Sequence, residues 1–225
     1  MRPPSAAHLT HGNNRSAPFP DSLRPKGQSV TAGESGRVQA KAAVRVIVVE
    51  MGAERVVLPM RAPLHVSVEP PLPAGVALRP LRPTDTRSLA TLMVVAYAGT
   101  IDDHGEPPSF AFAEAQRTVA GNYGEVQWEA SLLAHTSGHE SVGTTVVTWD
   151  RGHLLLAFTL VAPEWRNKGL GTALIIRTAN HLAAQGATEW TLAVTDGNPA
   201  QRLYERLGFR VDRTLLRPEQ RSPPL

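Results

Sequence analysis

Residues 153–174 read HLLLAFTLVAPEWRNKGLGTAL, and the rest of the chain is arranged around them. Residues 154–161 form an unbroken apolar run, the pattern of a strand buried on both faces. Pro163 ends it, because proline has no N–H to give a ladder. A turn follows, Arg166-Asn167-Lys168-Gly169-Leu170-Gly171-Thr172, and then a segment at helical spacing. Leu170, Ala173, Leu174, Ile176, Ala179, Leu182 and Ala183 share its apolar face, and Gly186 supplies the stop signal. The unit is a strand, a glycine-containing turn and a helix.

Such a turn can hold an anion. The first turn of a helix leaves backbone N–H groups without partners, and the macrodipole adds positive charge there. A phosphate docks on those donors when no side chain blocks the approach. Gly169 and Gly171 lack the Cβ atoms that would block it, and Arg166 and Lys168 add positive charge. A plain surface turn whose glycines only ease the bend is the alternative. Two better-known phosphate turns are excluded. No Lys-Thr pair follows a glycine at nucleotide-triphosphatase spacing, and position 174 is leucine where a dinucleotide fingerprint needs glycine.

Arg166-x-x-Gly169-x-Gly171 after Val161-Ala162-Pro163-Glu164-Trp165 resembles the acetyl-CoA signature of the GNAT N-acetyltransferases. Asn198-Pro199-Ala200-Gln201-Arg202-Leu203-Tyr204-Glu205-Arg206-Leu207-Gly208-Phe209 resembles that family's last helix. Together the two cover a resemblance over residues 75–217. It implies acetyl-CoA as co-substrate, without a metal, and direct acetyl transfer to an amine. Arg166, Asn167, Lys168, Gly169, Leu170, Gly171 and Thr172 would hold that co-substrate, with Leu160 and Val161 at the strand end and Asn198 beyond. Tyr204 would be the catalytic residue, its phenol giving a proton to the departing CoA thiolate. A phenol of ordinary pKa, about 10, is protonated at neutral pH and can do so. Backbone N–H groups near Val161 would meet the oxyanion.

Asn198 also reads as a helix cap, with Pro199 at the first helical position, Gln201 completing a capping box and Gly208 past the end. Tyr204, between Leu203 and Leu207, also reads as a half-buried core tyrosine. The family's usual strand glutamate, which takes the amine's proton, is absent from residues 154–161. Candidates elsewhere are Asp102, Asp103, His104, Glu106 and Glu129. The competing reading is a non-catalytic acyl-CoA-binding regulatory module on the same fold.

Composition narrows the remaining classes. With 42 % hydrophobic and 19 % charged residues, a chain of 225 can bury a substantial core. It has no cysteine, which excludes disulfides and thiolate metal sites, and its eight histidines lie apart. The net charge of +3 is unevenly placed: the first 74 residues hold nine Arg/Lys against five Asp/Glu, and the remainder fourteen against fifteen. No basic cluster marks them for nucleic acid. No run reaches the roughly 18 apolar residues of a membrane span, and no signal peptide is apparent. The expectation is a cytoplasmic protein acting on a small-molecule or peptide amine, with a homodimer compatible.

Residues 1–37, rich in Pro, Ser, Gly and Asn, are expected to be disordered. Residues 42–68 carry Val44, Val46, Val48, Val56, Val57, Leu58, Leu64, Val66 and Val68, a strand-like but unclean pattern. They suggest short strands within an N-terminal extension over residues 1–74, closed by Pro70-Pro71-Leu72-Pro73. The domain over residues 75–225 opens with a strand at 76–82. A helix capped by Thr84 or Asp85 follows, with Leu89, Leu92, Met93 and Ala96 on its apolar face. After an irregular loop at 100–108, Ser109 reads as the cap of a second helix. Strands at 129–135 and 141–149 flank a Ser-Gly turn, and further strands are expected at 189–194 and 209–216. The fold class is α/β, a mixed sheet with helices on both faces.

Overall fold

The computed structural model describes residues 56–216 except Arg151. The chain runs through β1 (Val57–Pro63), β2 (Val76–Pro80), α1 (Thr86–Tyr97), α2 (Pro108–Val119), β3 (Glu125–Val126), β4 (Leu132–Thr136), β5 (Ser141–Asp150) and β6 (His153–Val161). It continues through α3 (Leu170–Ala184), β7 (Glu189–Thr195), α4 (Ala200–Arg206) and β8 (Arg210–Val211). The strands form one mixed sheet in the order β2-β4-β5-β6-β7-β1-β8, with β3 on β5. β6 and β7 are parallel, joined by the α3 crossover, and the other pairs are antiparallel.

Helices cover both faces, as expected. α1 and α2 bury Leu89, Leu92, Met93 and Ala115 against Leu133, Val146 and Leu160. On the other face α3 and α4 bury Ile175, Leu182 and Tyr204 against Met60, Val147, Leu192 and Phe209. Neighbours Val146 and Val147 on β5 thus point to opposite faces, as strand geometry requires. The buried stripe of α3 runs through Ile175 and Thr178 rather than Ile176, which is half-buried. Thr178 can lie inside because its hydroxyl pairs with Thr145 at 2.8 Å.

The expected boundary at residue 75 is not an edge of the sheet. Val57–Pro63, assigned from the sequence to the extension, is a strand between β7 and β8, with Met60 and Ala62 buried. Residues 64–75 then carry the chain past α3. The Asn180 amide exchanges two 2.8 Å hydrogen bonds with the backbone of Ser67, and Arg177 pairs with Glu69. The strand expected at 209–216 shrinks to Arg210–Val211, followed by a 3-10 turn at Arg213–Leu215. The expected disorder of residues 1–37, and Val44, Val46 and Val48, lie outside the described residues.

Two helix starts differ from their sequence reading. α2 begins at Pro108, so Ser109 lies inside it. The carboxylate of Asp85 is held by a two-pronged bond from Arg79 at 2.7 Å and by the Arg82 N–H rather than capping α1. Among the described residues no helix is long and apolar enough to cross a membrane.

Candidate active site

The site begins at an irregularity in β6. Val147 faces Leu156 across the β5–β6 ladder, but Val146 faces Phe158, so Ala157 is one residue too many. Such a bulge bends its strand and resets the alternation of its side chains. Before it, Leu154 and Leu156 pack on the α3 side. After it, Phe158 and Leu160 pack on the α1 side. Thr159 and Val161 are thereby turned toward α3 and α4.

The same irregularity opens the sheet. β6 and β7 share a single ladder position, Leu155 opposite Thr191, and diverge beyond it. The wedge between them is part of a cavity of about 1400 Å³ lined by β6, the loop after α1, the start of α3, the end of β7 and α4. On the β7 side of β6, backbone groups past the bulge have no strand to pair with, which leaves them for an extended ligand.

At the tip of β6 the chain makes the turn that the sequence marked. Asn167 and Gly169 both adopt positive φ, 59° and 81°, a conformation that glycine tolerates best. Gly169 caps α3 without a side-chain hydrogen bond, so the first-turn N–H groups remain open to the cavity. A Cβ on Gly171 would stand 3.6 Å from both Val161 and Leu203, inside the gap between β6 and α4. The two cations of the turn are engaged elsewhere. Arg166 donates to the carbonyl of Ala96 at 2.7 Å, tying the turn to the end of α1. Lys168 lies 5.1 Å from the centre of the Trp165 ring and does not line the cavity. The remaining candidates Leu160, Val161, Arg166, Asn167, Gly169, Leu170, Gly171, Thr172, Asn198 and Tyr204 all do. Leu160 and Leu170 do so from buried side chains.

Opposite the turn, Tyr204 is 9 % exposed and stands edge-on to Phe209, with ring centres 5.9 Å apart. Burial pushes its pKa up; the Thr159 hydroxyl opposes that shift, and the Asp102 carboxylate adds to it. The phenol therefore stays protonated through the neutral range. Thr159 Oγ1 is shut off from solvent and makes no hydrogen bond of normal geometry. Tyr97, at the end of α1, is a second phenol in the cavity with its pKa raised by burial and by Asp102.

The Asn198 side chain is used at both ends. Its Oδ1 accepts from the Ala200 N–H at 2.8 Å, and its Nδ2 donates to Asp102 at 2.6 Å. Asn198 thus meets the first N–H of α4 from one residue before the cap, which falls at Pro199 rather than at Asn198. Gln201 does not complete a capping box; it bonds Glu205 instead. Of the proton-acceptor candidates, Asp102, Asp103, His104 and Glu106 line the cavity, whereas Glu129 is exposed and outside it. Sequence reasoning missed Thr159, Tyr97 and Thr195 as cavity residues. A hydroxyl inside an apolar run was the one signal for the first.

A mixed sheet that parts between two parallel strands, with a glycine-opened helix at the tip of one, defines an α/β fold with a cavity at its open seam. Residues 128–211 match the acetyltransferase (GNAT) domain family. A GCN5-related N-acetyltransferase from Sphaerobacter thermophilus superposes with a TM-score of 0.56 at 25 % identity, covering 69 % of this chain and 48 % of that one. This chain thus spans about half the length of that relative. The PaiA N-acetyltransferase of Thermoplasma acidophilum, in complex with coenzyme A, gives a TM-score of 0.51 at 17 % identity, covering 61 % and 91 %. A tandem GNAT protein from the clavulanic acid biosynthesis pathway gives 0.52 at 19 %, covering 70 % and 50 %. The last two likenesses concern the fold alone. Residues 128–211 are thus similar to a GNAT acetyltransferase domain, and the fold around them is of that kind.

Proposed function

We propose that the protein is an acetyl-CoA-dependent N-acetyltransferase that passes an acetyl group directly to an amine. The observation that carries this reading is the β6–β7 wedge, with the glycine-opened start of α3 at its mouth and a protonated phenol on its far wall. The cavity suits the co-substrate. Open first-turn N–H groups of α3 fit a pyrophosphate, the missing Cβ of Gly171 leaves room for an arm, and Thr159 Oγ1 makes no hydrogen bond of normal geometry. When bound, acetyl-CoA supplies the activated acetyl group as a thioester. The backbone of β6 past Ala157 holds the arm extended and offers N–H groups to an oxyanion. Arg166 fixes the turn through Ala96. Tyr204 holds the proton that the leaving sulfur needs.

With no cysteine in the chain, a thiol nucleophile is unavailable, which favours direct transfer over a covalent cysteine intermediate. The acceptor is a small-molecule or peptide amine, and the protein works in the cytoplasm without nucleic acid. A second reading, an acyl-CoA-binding regulatory module, is favoured by one observation, the absence of a carboxylate on β6. Thiol release from acetyl-CoA with a panel of amines separates the two readings. Under the enzymatic one, Tyr204→Phe lowers turnover roughly a hundredfold or more. Its melting temperature stays near wild type, because the ring still packs on Phe209. Turnover within about threefold of wild type, below the range of general-acid help, removes Tyr204 from the mechanism.

A further inference from the structure

We propose that Asp102, carried on the loop between α1 and α2, is the residue that accepts the proton of the incoming amine, held for that task by Thr195 and Asn198. The proposal rests on the acetyltransferase reading above. Thr195 Oγ1 donates to Asp102 Oδ1 and Asn198 Nδ2 donates to Asp102 Oδ2, each at 2.6 Å. The loop thereby reaches across the cavity to the end of β7 and the start of α4. A carboxylate has about four acceptor positions, so two bonds fix its direction and leave lone pairs for a substrate. Among the described residues it has no salt-bridge partner, so an ammonium ion would be its first cation.

The other cavity candidates are less suited. Asp103 spends its carboxylate on the N–H groups of Gly99 and Gly105, at 2.7 and 2.9 Å, which shapes the loop. His104 is exposed. Glu106 is half-buried and bears electrostatically on Tyr97, whereas Asp102 bears on both Tyr97 and Tyr204. That coupling has a chemical use. The Asp102 anion helps keep the Tyr204 phenol protonated, and a proton arriving on Asp102 removes that restraint as the phenol is required to give up its own.

The proton balance is as follows. The acceptor enters as an ammonium ion and loses one proton to Asp102. Its lone pair forms the C–N bond to the thioester carbonyl carbon, the C–S bond breaks, and the sulfur takes the Tyr204 proton. The nitrogen, acidic once the C–N bond exists, returns a proton to the phenolate, and the proton on Asp102 leaves to solvent. An amide, free CoA thiol and one proton result.

The experiment compares Asp102→Asn, Thr195→Val and wild type, with calorimetry for acetyl-CoA affinity beside turnover. Asp102→Asn keeps the shape and loses the base. It should lower turnover of an alkylamine about a hundredfold or more, with acetyl-CoA affinity within about threefold. Thr195→Val should lose less than about tenfold, because Asn198 still holds the carboxylate. With methoxyamine, already neutral at neutral pH, the Asp102→Asn defect should shrink by about tenfold or more, since no proton need be removed before attack. Equal losses in the two variants, an equal defect on both amines, or a loss of acetyl-CoA affinity in Asp102→Asn would each overturn the proposal and leave the acetyltransferase reading standing. A wild type that binds acetyl-CoA and releases no thiol with any amine overturns both.

Discussion

β7 pairs with β1 through seven positions and with β6 through one. On the β1 side the ladder is continued at both ends, by the Asp196 N–H to the Val56 carbonyl at 2.9 Å and the Leu64 N–H to the Thr188 carbonyl at 2.8 Å. On the β6 side the strands part just past Leu155 and a cavity takes their place. A sheet that opens at one seam gives up ladder bonds and cross-strand packing there, and the neighbouring seam must then hold the outer half of the molecule. The segment securing that seam comes from far upstream in sequence.

Removing the closed seam should have the largest effect. Deleting residues 1–74 strips β1 from between β7 and β8 and exposes the partners of Met60 and Ala62, so no cooperatively folded protein is expected by calorimetry. Deleting residues 1–37, whose composition cannot support a core, should leave the melting temperature within a few degrees. A folded 75–225 fragment would mean that β1 is dispensable.

Met60→Ala weakens the same seam without removing it. Met60 is fully buried on β1, and such truncations cost about 2–5 kcal/mol. Denaturant unfolding should register that loss, while acetyl-CoA binding by the remaining folded protein is unchanged. The converse is expected of Gly171→Val on the open side. Acetyl-CoA at a hundredfold its Kd should stabilise the wild type by about 2.7 kcal/mol. The variant, whose side chain enters the gap between Val161 and Leu203, should keep its unliganded melting temperature and lose that shift.

The smallest effect concerns the ion pairs that edge the closed seam. Arg61 on β1 bonds Asp212 at 2.9 Å and also pairs with Glu189. Burial would raise the pKa of Asp212, but the Thr214 hydroxyl and Arg61 outweigh it and hold it below its ordinary 3.8. A carboxyl with a depressed folded-state pKa lends stability above its unfolded pKa and loses it as pH falls through the folded one. Arg61→Ala should therefore cost up to about 1 kcal/mol at neutral pH. The gap between variant and wild type should close progressively once the pH drops below 3.8. A gap that persists in acid would assign the cost to lost packing of the Arg61 stem.

Much of this contrast was legible in the sequence, and the illegible part has physical causes. Pro163, Gly169 and Gly171 act locally, through a missing N–H and missing Cβ atoms, so the turn and the start of α3 could be read directly. The bulge at Ala157 could not. A strand buried on both faces has no polar alternation, so an added residue changes the phase of Leu156 and Phe158 without any trace in composition. Thr159 reaches Tyr204 only through that change of phase. The role of β1 was hidden for a different reason: Val57, Leu58 and Met60 announce a strand, but a partner more than a hundred residues away is not a local property. Asn198 shows the limit of motif reading at the site, since one end of its amide is committed to Asp102, a neighbour that the motif does not contain.

The crossing formed by residues 64–75 has a consequence for chain connectivity. None of those residues lines the cavity, and they link strands on opposite sides of the open seam. β1 meanwhile lies antiparallel to β8, with Met60 beside Val211 and Arg61 beside Arg210. The same sheet could therefore be threaded in another order. With the covalent break moved to the crossing and β1 joined after β8 by a turn, the two would be a hairpin at the end of the polypeptide. The protein is in this sense a natural template for circular permutation, because the sheet depends on which strands adjoin and not on which one is translated first.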